Sequence, residues 1–163
     1  MNNNRTKVIV VFFIIIIILI LWSNKYSTSN RLLGYYNSDL EHFKNGYDEL
    51  ITLLDNFVES PNIENYSEVQ YMIGRTVSRL GSLDRSMAVC YRMGLLRKDK
   101  LKYKDSEVTV LVANEIKDSR ELIKDSIKFI ENQIILDESK INLVYENLNN
   151  INDLLEPYYN TIN

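Results

Sequence analysis

Histidine and cysteine, the side chains that most often serve nucleophilic or metal chemistry, are scarce in this sequence. There is one histidine, His42, and one cysteine, Cys90. Zinc is held by several Cys, His or carboxylate side chains together, so one of each cannot build a typical site. No Gly-x-Ser-x-Gly elbow and no phosphate-cradling glycine loop is present. The acid pairs Asp48-Glu49 and Asp137-Glu138 have the spacing of solvated helix faces. The sequence therefore points to no catalytic residue, no metal and no cofactor. Cys90 cannot close an intramolecular disulfide. On an apolar helix face it reads as a small buried hydrophobe, with an intermolecular disulfide as the rival. His42 falls between Leu40 and Phe43 and is expected at the surface.

Two other groups have spacing that suits binding. Between residues 75 and 104 nine basic residues stand against two acids, a net of +7. Residues 105–163 hold twelve acids and five bases, a net of −7. Neutralisation between neighbouring helices, together with solvated faces, is the plain account. A sharper one takes Arg97, Lys98, Lys100, Lys102 and Lys104 as a loop returning to a bilayer surface, where each cation near anionic lipid contributes about 1 kcal/mol. Nucleic acid is not expected as a partner, because the net charge is −3 and no aromatic platform accompanies the basic run. The second group is a row of small residues at every fourth position, Gly74, Ser78, Ser82, Ser86, Cys90 and Gly94. Such a row forms one ridge for close packing within the protein, or for docking a partner helix or a second copy of the chain. Each step rotates it by about 40°, so it cannot all face one straight neighbour. Glycine costs a helix about 1 kcal/mol relative to alanine, so Gly74, Gly81 and Gly94 are expected to have a steric reason.

The elements that would position these residues follow from composition and periodicity. Hydrophobic content of 45% with 25% charge fits a globular chain. Five glycines and two prolines are too few for the many tight turns a sheet needs, and no Asn-Gly-like hairpin signal is followed by alternating strands. Long helices are the consequence. From Val8 to Trp22 every residue is apolar. At 1.5 Å per residue this spans about 22 Å, and Lys7, Lys25, Trp22 and Tyr26 suit the flanking interface of a bilayer. A signal peptide has the same layout, with Ser27-Thr28-Ser29 as the one small-residue exit. The bulky Leu21 and Trp22 favour retention. The balance of Arg5 and Lys7 against Lys25 and Arg31 only slightly favours a cytoplasmic N-terminus, and with the signal-like position it places the body outside the cytoplasm.

Beyond the anchor, Leu33, Tyr36, Leu40, Phe43, Tyr47, Leu50, Leu54 and Phe57 recur at alternating spacings of three and four, a heptad pattern that Ser60-Pro61 ends. Asn65 and Ser67 are candidate caps of a second helix. Val108 to Val112 is β-branched but has no strand to pair with, so helix is expected there. A third apolar run passes through Ile116, Ile123, Ile127, Ile130 and Ile134, and a fourth from Ile141 to Leu155, with a turn near Asp137 to Ser139. The expected fold is all-α: an N-terminal transmembrane helix followed by an antiparallel bundle of three to four long helices with coiled-coil-like packing. The divisions are an anchor over 1–27 with apolar core 8–22, and a bundle over 28–163 with helices near 30–60, 66–97, 105–136 and 139–160. The functional expectation is a membrane-anchored, extracytoplasmic interaction or structural module without catalytic activity. Its rivals are a secreted binding protein cleaved near Ser29, a sensor-like or envelope-complex subunit that binds a partner helix, and an enzyme without a recognisable motif.

Overall fold

The computed structural model describes residues 3–96, 105–131 and 133–159. Four helices carry the fold: α1 (Asn3–Glu59), α2 (Ile63–Arg92), α3 (Asp105–Ser126) and α4 (Glu138–Tyr159). The all-α bundle expected from the heptads is what forms. Tyr36, Leu40, Phe43, Tyr47, Leu50, Leu54 and Phe57 are all buried on α1. On α2 the same alternation buries Val69, Ile73, Thr76, Leu80, Leu83, Met87 and Cys90, and on α4 Ile141, Val144, Leu148, Ile151, Leu155 and Tyr158. Four such stripes pack antiparallel neighbours together, α1 on α2, α2 on α3 and α3 on α4, around one buried core. Two tyrosines close the ring: Tyr36 donates to the carbonyl of Tyr158 at 2.9 Å, and Tyr47 donates to that of Leu148.

Local chemistry sets the boundaries. The amide of Ser60 still bonds back to Asn56, and Pro61 then stops α1. Asn62, in an extended conformation, caps α2 by accepting from the amide of Asn65 at 2.9 Å. The cap therefore lies earlier than the Asn65 or Ser67 of the sequence reading. Asn65 instead ties the turn from the other side, donating to the carbonyls of Asn56 and Ser60. α2 ends at Arg92, where Gly94 takes φ +68 and the amide of Leu95 returns to the carbonyl of Cys90. This left-handed glycine cap satisfies carbonyls that the last turn leaves free. Pro157 sits inside the last turn of α4 and does not end it.

Two expectations are corrected. The helix over 105–136 stops at Ser126, and a two-stranded antiparallel hairpin takes its second half: β1 (Ile127–Ile130) pairs with β2 (Gln133–Leu136). Its turn lacks glycine. Glu131 takes φ +50, the left-handed region that two-residue hairpin turns require. β-Branched and aromatic side chains favour a strand here, and Ile127, Ile134 and Leu136 pack against the core. The chain reverses at this hairpin turn and not near Asp137, whose carboxylate instead accepts from the amide and hydroxyl of Ser139 at the start of α4. Second, α1 has no break at residue 27. One helix of 57 residues, about 85 Å long at 1.5 Å per residue, joins the apolar segment to the bundle.

Candidate functional site

The first third of α1 stands apart from everything else. From Val11 to Trp22 no residue is buried, and Trp22 at 70% exposure is the barest. Among the described residues α1 is the one helix long and apolar enough to cross a membrane. Ser23 to Arg31 continue the helix with mostly polar side chains. The bundle begins at Leu32, whose carbonyl lies 3.5 Å from the Cys90 sulfur, and at Tyr36. The rise from Trp22 to Leu32 is therefore about 15 Å.

That arrangement puts the end of α2 and the start of α3 at the rod-proximal end of the bundle. Arg97, Lys98, Lys100, Lys102 and Lys104 lie between them, outside the described residues. Among the described residues the ion pairs are Arg75–Glu49 at 3.9 Å and Lys128–Asp137 at 3.6 Å, and neither joins α2 to α3. Hydrogen bonds that involve a charged group do link α2 to α3, from Thr109 to the Asp84 carboxylate at 2.6 Å and from Arg120 to the Gln70 side-chain oxygen at 3.0 Å.

The small-residue row winds out of the protein as its 40° steps require. Gly74 and Ser78 are exposed, Ser82 and Ser86 half-buried, Cys90 buried, and Gly94 exposed again. Ser82 and Ser86 line a shallow groove of about 320 Å³ between α1 and α2, opposite Tyr35 and Asp39. The steric reason expected for Gly74 and Gly81 is absent, because a Cβ on either would meet nothing within 4 Å. Gly94 has a conformational reason instead, its positive φ. The close approach is at Gly46, where a Cβ would lie 2.0 Å from the Arg79 guanidinium. The signal was available: Gly46 falls three residues after Phe43 and four before Leu50, on the buried stripe itself.

The titratable groups show the electrostatics of a packed bundle. Burial pushes the Cys90 thiol up, away from the reactive thiolate. Burial also raises the Tyr47 hydroxyl, helped by Tyr159, Asp48 and Asp153. Tyr145 is raised by burial and by donating to Asp55 at 2.6 Å. Asp137 is held low, chiefly by the Ser139 hydroxyl. His42 is exposed, as expected. Among the described residues no three His, Cys, Asp or Glu side chains come together as a metal site would need.

Sequence reasoning missed the end of the bundle far from the rod. There the hairpin leaves Phe129, Ile130 and Ile135 exposed, and Ile63 of α2 is exposed as well. A groove of about 470 Å³ runs between β2, Val58 and Pro61 of the α1–α2 turn, and Tyr145 of α4. Comparison with protein-family models, curated proteins and solved structures finds no match.

Proposed function

We propose that this chain is a single-pass, membrane-anchored helical module whose bundle stands outside the cytoplasm and acts by binding, without catalysis. One observation carries the reading: a helix apolar on every side is bare along the span from Val11 to Trp22, while the same helix buries a single stripe beyond Leu32. Bare aliphatic side chains are stable in lipid and costly in water. The polar turns from Ser23 to Arg31 then hold the bundle about 15 Å from the hydrocarbon. Arg97, Lys98, Lys100, Lys102 and Lys104, which join α2 to α3 in the sequence, would supply the contact with anionic headgroups.

The test combines carbonate extraction with labelling of whole cells by a membrane-impermeant maleimide. Cys90 is buried, so the reporter is Ser78→Cys on the exposed face of α2. Retention in the membrane pellet and labelling of intact cells are expected. Release by carbonate overturns the anchor, and labelling only after lysis overturns the orientation.

A specific observation supports a second reading, secretion after cleavage near Ser29. The packed core starts at Leu32 and Leu33, so the bundle would lose none of it with the preceding residues. The intact mass of the mature protein separates the two.

A further inference from the structure

We propose that the free edge of β2 takes up a short extended segment of a partner protein, apolar at alternate positions and flanked by Lys or Arg. The register sets the geometry. Ile130 pairs with Gln133 across a two-residue turn and Lys128 with Ile135, and the amide of Asp137 bonds to the carbonyl of Ser126 at 2.8 Å. In an antiparallel ladder those are the hydrogen-bonded pairs, so the N–H and C=O groups of Ile134 and Leu136 point away from β1. Among the described residues they have no partner. Successive strand side chains point to opposite faces. A groove touched by Ile134, Ile135 and Leu136 together therefore runs along the edge, where the free backbone groups are.

The occupant follows from the walls. Val58 and Pro61 of the α1–α2 turn line the same groove of about 470 Å³ as β2, so the edge is already flanked by protein, and a single extended segment is the least bulky element that can pair there. Adding one strand to an open edge gives affinity through the backbone and selectivity through alternate side chains. Charge gives the flanks. Glu138 lines the groove and no Lys or Arg does. Asp55 and Glu59 lie beside Tyr145 at its rim. The neighbouring cations are engaged, Lys128 with Asp137 and Lys140 with the carbonyl of Asp125. The exposed Phe129, Ile130, Ile135 and Ile63 extend the apolar surface around it. An exposed apolar edge strand left open is a template for pairing.

This inference deepens the reading of the chain as a binding module and does not depend on the anchor. The experiment titrates the full-length protein in lipid nanodiscs with the blocked peptide Lys-Val-Thr-Val-Thr-Val-Lys. Saturable binding is expected, with the largest amide shifts at Ile134 and Leu136. Glu138→Lys should weaken binding about tenfold or more, because it turns one attraction for the cationic flank into a repulsion. The peptide N-methylated at alternate residues should not bind. No binding, or binding indifferent to both changes, overturns the proposal. Self-association of the protein without peptide, abolished by Ile134→Pro, would overturn it in favour of a second copy. Carbonate release with peptide binding intact would fail the anchor alone, and the converse would fail this inference alone.

Discussion

Two stretches of the same helix meet opposite fates. Residues 11–22 of α1 are apolar on every side and bare, whereas Tyr36 to Phe57 are apolar every third or fourth residue and buried. The amount of apolar surface does not separate them. Its distribution does: a single stripe is satisfied by three neighbouring helices, while no small bundle can cover a rod all round. One continuous element thus carries a span apolar and long enough to cross a membrane and a stripe that protein covers, with polar turns between.

The comparison can be broken by exchanging what each stretch is given. Phe43→Ala, at a fully buried site, should cost the bundle about 3–5 kcal/mol in denaturant unfolding of the full-length protein, whereas Phe13→Ala should leave that transition where it is. Equal effects would mean that the rod is part of the core. A charge probes the other solvent. Ile17→Lys should cost about 2.5–3.5 kcal/mol of membrane insertion, read as protein moving to the carbonate supernatant, with the bundle's unfolding unchanged.

Smaller changes sharpen the protein side. Tyr47→Phe removes the hydroxyl that donates to Leu148 and should cost about 1 kcal/mol. Burial raises the folded hydroxyl above its ordinary value of about 10, so its contribution is complete below that pH and falls as pH rises toward the folded value. Alkaline unfolding followed by circular dichroism should therefore lose part of its pH dependence in Tyr47→Phe. At the smallest scale, Gly81→Ala should stabilise by about 0.5–1 kcal/mol, since its Cβ meets open space, while Gly46→Ala should destabilise against Arg79. A thermal shift of the same sign for both would show that Arg79 yields.

The hairpin explains where sequence reading stopped. Ile127, Ile130 and Ile134 are spaced by three and four, so they satisfy a helical stripe as well as a strand, and the Glu131-Asn132 turn lacks the glycine that marks most hairpins. The signal that remained was composition, since Ile127-Lys128-Phe129-Ile130 and Gln133-Ile134-Ile135-Leu136 are two short runs of strand formers around one Asn. The groove they border was invisible for the same reason, because it belongs to an edge that exists only if the helix ends. Gly46 differs: its place on the heptad was readable, but that Arg79 would lie across it was not.

Periodicity and apolar content along the chain were enough to determine the helices, their buried faces and the one segment suited to lipid, because these depend on side chains three and four residues apart. Tertiary structure alone decided that α1 runs unbroken from rod to bundle, that Ser126 ends α3, and that β2 keeps an open edge. Those outcomes turn on which distant surfaces remain after the helices have paired, and local spacing carries no record of them.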